Sequence, residues 1–445
     1  MHRAWSRSHL SVQPIGALWS QCAATEVSPW SVGKDADAHP VHHGDGAFLA
    51  SYGCFVVALR VFAVGVHTLA PCLVMEVRSL AGTSVTARRT HGHPPITPPR
   101  LKDAEAGPAV PTSPEADGAL RHVSADVLRT MYTDMALARA LDERVWQLSR
   151  QGAVPFAVTG RGHEAAQVGL AAAVRPGVDF VYAYYRDVAL VLALGVTAEE
   201  IMLAAFGRRS DTFSAGRQMP GHFSHPALRI VSGSSPVGTQ IPQGAGTALA
   251  CRMRGLDSAV LVTFGEGATS QGDFHEGLNF AALHRLPVVF ACENNGWAIS
   301  VPQHLQTAGP GIAARAAGYG MLGLVLDGSD PLAVRSAAAQ AMARARRGDG
   351  PTLLELRVVR LDPHTSTDDD RTYRPAAERD GLAAADPLPH FRRQVEEILG
   401  SGEMAIVDAA IATAVDTATR AALQAPEPGP DDLMRDVYAS AQASA

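Results

Sequence analysis

Two polar clusters follow two apolar runs in the second half of the chain. The first reads Gly-Glu-Gly-Ala-Thr at 265–269 and the second reads Glu-Asn-Asn-Gly-Trp at 293–297, with the 26 residues 268–293 between Gly267 and Asn294. Glycine lets the backbone approach a phosphate group, and free N–H groups at a helix start favour an anion. A carboxylate and a side-chain amide are hard oxygen ligands that suit Mg²⁺. This composition predicts a site for a metal ion bound to a diphosphate.

Two common phosphate-binding loops do not fit the first cluster. A dinucleotide-binding loop needs a third glycine three residues after Gly267, where Ser270 stands. A P-loop needs a lysine before its Ser or Thr, and the last lysine of the chain is Lys102. A tight turn whose glycines serve packing alone is the remaining alternative. The Asn294-Asn295 pair at the neighbouring strand end favours the ligand site.

The apolar runs and the segments between them predict the fold. Four continuous apolar runs are typical of strands that a parallel sheet buries on both faces, at 259–264, 287–292, 322–326 and 352–359. Stretches with helical spacing separate them, at 240–253, 273–284 and 331–347. This alternation predicts an α/β fold with a doubly wound, mainly parallel sheet flanked by helices. Ligands of such sheets bind at the carboxyl ends of the strands, where both polar clusters stand.

Helix signals also occur before these strands. Ser124 is a plausible N-cap for a helix that extends to Gly152, with apolar residues at helical spacing along it. Thr197 and Glu200 have the spacing of a capping box, in which each residue bonds the backbone of the other. We therefore expect the regular α/β structure to begin near residue 120.

Composition excludes several classes of protein. The net charge of −6 over 445 residues, without a strong run of either sign, argues against a nucleic-acid-binding protein. Five scattered cysteines without a Cys-x-x-Cys pair exclude a zinc ribbon or a disulfide framework, and they fit a reducing compartment. Only two of the 38 basic residues are lysines, which suggests the codon usage of a GC-rich bacterial genome.

Residues 1–118 differ in character from the rest of the chain. Their apolar stretch 47–75 contains Arg60 near its middle, which costs about 2.5–3.5 kcal/mol at the centre of a membrane span, so we do not expect membrane insertion. We predict a poorly ordered or non-homologous extension over 1–118, one domain over 119–425 and a tail over 426–445.

Five longer sequence motifs narrow the choice of protein family. They are Tyr-Arg-Asp at 185–187, Gly-Arg-Gln-Met-Pro-Gly-His at 216–222, Ser-Ser-Pro-Val-Gly-Thr-Gln at 234–240, Asn-Asn-Gly-Trp-Ala-Ile-Ser at 294–300 and His-Thr-Ser-Thr-Asp-Asp at 364–369. With the polar clusters they resemble the alpha subunit of the thiamine diphosphate-dependent 2-oxo acid dehydrogenases, over about 120–425. The resemblance implies a thiamine diphosphate-binding fold.

The strings at 216–222 and 294–300 resemble the branched-chain, or 2-oxoisovalerate, subfamily most. In the pyruvate subfamily the residue after Asn-Asn is often larger and charged, whereas Gly296 stands here. The resemblance implies oxidative decarboxylation of a branched-chain 2-oxo acid, with the acyl group passed to a lipoyl group. A pyruvate or acetoin dehydrogenase subunit and an inactive structural paralogue remain alternatives, since one or two methylenes change binding by only about 1–3 kcal/mol.

The resemblance implies roles for individual residues. Glu266 and Asn295 would bind Mg²⁺ through their side chains, and Trp297 through its backbone carbonyl. Further cofactor contacts are implied for Tyr185, Arg186, Ser235, Val237, Gly265, Gly267 and Ala268. A monovalent cation such as K⁺ is implied for Ser234, Thr239 and Gln240.

His364 would be the catalytic residue of the domain, in a loop after the last strand. The resemblance implies that it donates a hydrogen bond to the cofactor phosphate and assists acyl transfer. Mammalian relatives carry a regulatory phosphoserine directly after this histidine. Thr365 occupies that position here, with Ser366 next, which argues against kinase control of the loop.

Partners follow from the same resemblance. The glutamate that activates the aminopyrimidine lies on a separate beta subunit in this family, so we expect two alpha and two beta chains. The acyl acceptor would be a lipoyl-bearing acyltransferase core. We expect a cytoplasmic protein, with the mitochondrial matrix as the alternative location.

Overall fold

The computed structural model describes residues 123–434. The predicted extension over 1–118 lies outside the described residues, as do residues 435–445 of the predicted tail. Within the described part, no helix is long and apolar enough to cross a membrane.

The described part contains seven strands, which are β1 (Phe180–Tyr182), β2 (Val260–Gly265), β3 (Val288–Asn294), β4 (Trp297–Ala298), β5 (Val301–Pro302), β6 (Leu322–Asp327) and β7 (Thr352–Arg357). Five of them form a central parallel sheet in the order β1-β2-β3-β7-β6. The other two, β4 and β5, form a separate antiparallel pair after β3. All four pairings in the large sheet are parallel, as the sequence predicts.

Ten α-helices accompany the strands in the described residues. They are α1 (Ala125–Arg150), α2 (Glu164–Ala171), α3 (Val188–Ala193), α4 (Ala198–Ala205), α5 (Gln240–Met253), α6 (Gly272–Leu283), α7 (Pro331–Arg346), α8 (Ala376–Gly381), α9 (Pro387–Leu399) and α10 (Ser401–Gln424). The predicted caps are confirmed: the Ser124 hydroxyl accepts from Val127 N–H, and Thr197 forms its capping box with Glu200.

Alternate residues of the central strands enter two different hydrophobic cores. Leu261 and Val289 pack with α1, α2, α7, α9 and α10, whereas Val262 and Phe290 pack with α5 and α6. Since successive side chains of a strand point to opposite faces, the sheet is covered by helices on both sides. The doubly wound α/β prediction is therefore confirmed.

Two details of the sheet differ from the sequence prediction. The run at 322–326 forms β6, which is only half-buried, because it lies at the sheet edge with β7 as its one partner. The expectation that this run is buried on both faces is wrong. The opposite edge strand, β1, is three residues long and escaped prediction because so short a run shows no periodicity.

The register of the strands brings the predicted site segments to one edge. Gly265 at the end of β2 lies beside Glu293, and Asn294 at the end of β3 lies beside Arg357. Beyond β7, Val358 N–H still donates to the Asn294 carbonyl, at 3.0 Å. The loops that leave β1, β2, β3 and β7 therefore meet at the carboxyl edge of the sheet.

Candidate active site

A cavity of about 410 Å³ opens at this edge of the sheet. Every predicted site residue except Thr239 lines it: Tyr185, Arg186, Ser234, Ser235, Val237, Gln240, Gly265, Glu266, Gly267, Ala268, Asn295, Trp297 and His364. Thr239 lies directly before α5. Segments separated by up to 179 positions in the chain (185 to 364) thus share one concave site.

Glu266 is the acidic group of the cavity. It begins a 3₁₀ turn directly after β2, and only 1% of its surface is exposed. Its Oε2 accepts a hydrogen bond from Asn295 N–H at 3.3 Å, whereas its buried Oε1 has no hydrogen-bond partner. Burial raises the pKa of this carboxyl group above its ordinary value. A buried carboxylate oxygen without a partner is costly unless a cation or a proton satisfies it.

The two asparagines at the end of β3 have different tasks. The Asn294 amide donates to Glu355 Oε1 at 2.7 Å, and its oxygen accepts from Gly296 N–H at 3.0 Å. Gly296 has a φ of 82°, which glycine adopts without strain, so the chain turns sharply here. Asn294 therefore stabilises the turn, and Asn295 is the member of the pair that lines the cavity.

Asn295 and Trp297 are held by short contacts in the same turn. The Asn295 Oδ1 accepts from Trp297 N–H at 3.1 Å, which leaves this oxygen a second lone pair. The Trp297 indole N–H donates to Glu378 Oε1 at 2.8 Å, and its ring packs against Tyr373. Contacts with α8 and the 3₁₀ turn before it thus fix the tryptophan at the cavity wall.

Arg186 and His364 lie in contact with each other at the cavity wall. Arg186 is 98% buried; one terminal nitrogen donates to the Thr159 carbonyl, and the other lies 3.3 Å from His364 Nδ1. Burial and the charges of Arg186 and Arg360 lower the pKa of His364 to about 4. The backbone N–H of His364 donates to Asp368 at 2.8 Å, which anchors the loop.

The segment 234–240 forms the cavity rim. Ser234, Ser235 and Val237 line it, and 47% of the Val237 surface is exposed. Gln240 is buried, and its amide donates to the Thr263 carbonyl at 3.1 Å. This bond uses the side-chain NH₂ group of Gln240 and not its side-chain oxygen.

Comparison with known proteins decides the family. A family model described as the dehydrogenase E1 component matches residues 132–431, more than half of the chain. The chain belongs to the dehydrogenase E1 component family. This family is thiamine diphosphate-dependent, so the predicted cofactor class agrees with it. The match continues through residues 426–431 of the predicted tail, where Arg209 N–H donates to the Pro426 carbonyl.

Individual relatives carry branched-chain names. The chain is 49% identical over 312 residues to the 2-oxoisovalerate dehydrogenase subunit alpha of Bacillus subtilis, which covers 69% of this chain and 94% of that protein. It is 41% identical over 277 residues to the 3-methyl-2-oxobutanoate dehydrogenase subunit alpha of Mycobacterium tuberculosis, covering 62% and 72%. The mitochondrial 2-oxoisovalerate dehydrogenase subunit alpha of Homo sapiens is 38% identical over 253 residues, covering 57% and 56%. The resemblance to the branched-chain E1 subfamily is confirmed.

Two histidines of this E1 site escaped the sequence prediction. His222 Nδ1 lies 2.8 Å from the Met219 carbonyl, and its Nε2 lies 2.6 Å from the Ser235 hydroxyl at the rim. Because a carbonyl only accepts, Nδ1 carries the proton and Nε2 accepts from Ser235. His163, directly before α2, is fully buried behind Asn295. His222 ends the string at 216–222, but no role was predicted for it, and His163 stands in no pattern that separates it from an ordinary loop histidine.

His163 belongs to a buried polar cluster with Glu293, Asp187, Gln167 and Tyr184. The Glu293 Oε2 is 2.7 Å from His163 Nδ1, 3.0 Å from the Gln167 amide and 3.2 Å from the Tyr184 hydroxyl. Glu293, which directly follows the apolar run at 287–292 and begins the second polar cluster, was the sequence signal for this buried cluster.

Burial and hydrogen bonds determine the protonation states in this cluster. Burial lowers the pKa of His163, which keeps the imidazole neutral. Burial alone would raise the pKa of Glu293, but the hydrogen bond from His163 holds it below its ordinary value. Burial and the charge of Glu293 raise the pKa of Asp187 well above its ordinary value. Asp187 therefore keeps its proton beside an ionised Glu293.

Proposed function

We propose that this chain is the alpha subunit of a branched-chain 2-oxo acid dehydrogenase. In this proposal it catalyses, with a beta subunit, the thiamine diphosphate- and Mg²⁺-dependent oxidative decarboxylation of a branched-chain 2-oxo acid. The observation that carries the proposal is the cavity that joins the unpartnered Glu266 oxygen, the Asn295 amide and the buried Arg186. The 49% identity to the 2-oxoisovalerate dehydrogenase subunit of Bacillus subtilis supports the substrate class.

Glu266, Asn295 and Trp297 would hold the Mg²⁺ ion. The buried Glu266 Oε1 needs a positive partner, and Asn295 Oδ1 has a lone pair left beside its bond from Trp297 N–H. The Trp297 carbonyl would supply a third oxygen. Carboxylate, amide and carbonyl oxygens form the hard donor set that Mg²⁺ prefers, so the residues present fit this ion.

Arg186, with Tyr185 and the backbone of Gly265, Gly267 and Ala268, would hold the diphosphate. A guanidinium fork matches phosphate oxygens, and burial of Arg186 strengthens the attraction because little water competes. Ser235 and Val237 would contact the rings of the cofactor. When bound, thiamine diphosphate takes up the electron pair that a 2-oxo acid releases on losing CO₂.

His364 would provide and remove a proton at the reacting centre. Its Nδ1 faces the guanidinium of Arg186, which only donates, so the proton of the neutral imidazole is on Nε2. An N–H at that position can donate to a phosphate oxygen or to a substrate oxygen that becomes negative. The pKa of about 4 keeps the ring neutral at physiological pH.

The proposal includes partners that complete the reaction. The relatives are named as alpha subunits, which supports a beta subunit here and an assembly of two alpha and two beta chains. A lipoyl-bearing acyltransferase core would accept the acyl group. A K⁺ ion at Ser234, Thr239 and Gln240 and a cytoplasmic location are further parts of the proposal.

Turnover of the co-expressed alpha and beta subunits tests this function. The assay contains thiamine diphosphate, Mg²⁺ and an artificial electron acceptor, and it compares 3-methyl-2-oxobutanoate with pyruvate. We expect a higher kcat/KM for the branched acid. A preference for pyruvate would overturn the substrate class, and turnover of neither acid would favour acetoin as the substrate or the inactive paralogue.

A further inference from the structure

His163 lies between a buried carboxylate and the side chain of Asn295. Its Nδ1 is 2.7 Å from Glu293 Oε2, and its Nε2 is 3.2 Å from Asn295 Nδ2. The exposed fractions of His163 and Glu293 are both 0%. A buried imidazole with both nitrogens in contact has one orientation, because any rotation breaks two hydrogen bonds that solvent cannot replace at a fully buried ring.

The hydrogen bonds along this chain have a fixed direction. The Glu293 oxygen that meets His163 also accepts from the Gln167 amide at 3.0 Å, so His163 Nδ1 donates to it and Nε2 is left as an acceptor. The Asn295 side chain must therefore present its NH₂ group to His163. Its oxygen faces the other way, where Trp297 N–H donates to it at 3.1 Å. A flipped amide would place two acceptors together at His163 and two donors together at Trp297.

We propose that His163 is a positioning residue that orients the Asn295 amide, so that its oxygen is presented to the metal ion of the cofactor. The inference rests on the proposed function, because it needs Asn295 as a ligand of Mg²⁺. Glu293 fixes the tautomer of His163, and His163 fixes the amide. Outer partners of this kind orient the groups that bind a metal, and their removal costs about 10–100-fold in metal affinity.

The contacts of the neighbouring Asn294 show why His163 orients only one of the two asparagines. Asn294 has its amide bound to Glu355 and its oxygen bound by Gly296 N–H, and it does not line the cavity. Asn295 has no acidic partner of its own for its NH₂ group in the described residues, and His163 takes that place. The imidazole ring of His163 therefore lies between the acidic Glu293 and Asn295, the proposed metal ligand.

The test measures Mg²⁺ affinity without turnover. The full chain in complex with its beta subunit is dialysed against thiamine diphosphate at increasing Mg²⁺, and the retained cofactor gives the Mg²⁺ concentration of half-saturation. For His163→Leu we expect this concentration to rise about 10–100-fold. His163→Gln, whose amide can donate to Glu293 and accept from Asn295, should restore it to within about threefold of the wild type.

Two controls distinguish positioning from general damage. Tyr182→Phe removes a hydrogen bond to Thr247, at 2.6 Å, from a buried tyrosine that contacts neither His163 nor the cavity, so the Mg²⁺ concentration of half-saturation should change less than about twofold. In an Asn295→Ala background, His163→Leu should add no further loss, because the amide it orients is gone. Losses that add in the double variant would overturn the inference.

The outcomes separate this inference from the proposed function. If Asn295→Ala leaves the Mg²⁺ dependence unchanged, the metal assignment of the proposed function fails, and the inference fails with it. If Asn295→Ala weakens Mg²⁺ binding but His163→Leu does not, the metal assignment stands and His163 has no positioning role. Should His163→Leu fail to fold, His163→Met fills the same space without a donor and carries the same expectation.

Discussion

The guanidinium of Arg186 lies 3.3 Å from Nδ1 of His364, and this contact determines which ring nitrogen carries the proton. The two residues are 178 positions apart and come from the loops after β1 and after β7, which are separated by two strands in the sheet. Arg186 would serve the phosphate and would also hold the histidine as a neutral Nε2–H donor. The same residue thereby links cofactor binding to the proton step.

His364→Asn should lower kcat much more than it lowers cofactor affinity. A positioned acid–base group contributes about 10²–10⁴-fold to a rate, whereas Arg186 and the metal ligands would still hold the diphosphate. Steady-state kinetics and equilibrium dialysis of thiamine diphosphate measure the two effects separately. The matched control is His390→Asn, an exposed histidine on α9, which should change neither. Equal losses of kcat and of affinity would contradict the catalytic role.

The cofactor-free protein should lose stability as the pH falls from about 6.5 to about 4. In this window the unfolded chain binds a proton at His364 that the folded protein, with its lowered pKa of about 4, does not bind. The free energy of unfolding therefore rises with pH here. Urea unfolding at several pH values measures the slope, which should be shallower in His364→Asn. An unchanged slope would show that the histidine titrates normally in the folded protein.

Glu355→Ala should destabilise the fold near the site. This buried carboxylate accepts from the Asn294 amide and from Ala313 N–H, both at 2.7 Å. Its loss leaves two buried donors without partners, at about 1–3 kcal/mol for each. Urea unfolding measures the loss, and Glu355→Gln, which keeps one acceptor, should lose less. If the alanine variant is as stable as the wild type, the turn after β3 does not depend on this contact.

Gly162→Ala should be much more harmful than Gly152→Ala. Both glycines have positive φ, at 95° and 73°, so both changes strain the backbone. An added Cβ at Gly162 would also overlap the Val359 carbonyl oxygen, whereas open space surrounds Gly152. The thermal unfolding temperature of each variant measures the difference. Equal effects would mean that the loop before α2 does not pack tightly against the segment after β7.

The fold was predictable from the sequence where burial imposes a regular pattern. The long apolar runs of β2, β3 and β7 and the caps at Ser124 and Thr197 lie as predicted. The edge strands were harder to predict. β1 is too short to show a pattern, and β6 has apolar residues although it is half-exposed. Apolar composition alone does not reveal whether a strand has one neighbour or two.

Glu266 and Asn295 were predictable because strand ends in a parallel sheet meet at one edge, whereas the other cavity residues were implied by the family resemblance alone. The Glu266 and Asn295 strings come from neighbouring strands, so their proximity follows from topology. The buried polar cluster around Glu293, which lies behind Asn295, was not predictable. His163 and Asp187 reach Glu293 only through tertiary packing, and a histidine before a helix has the same appearance in sequence whether it is solvated or fully buried.

Thiamine diphosphate binding with and without Mg²⁺ tests the central claim most directly. The cofactor is titrated calorimetrically into the complex of the chain with its beta subunit, in Mg²⁺ or in a chelator. The wild type should bind tightly only with Mg²⁺, and Glu266→Ala should lose that dependence. Glu199→Ala, an exposed acid on α4, should bind as the wild type does. Cofactor binding by Glu266→Ala that is equal to the wild type and still depends on Mg²⁺ would contradict the account.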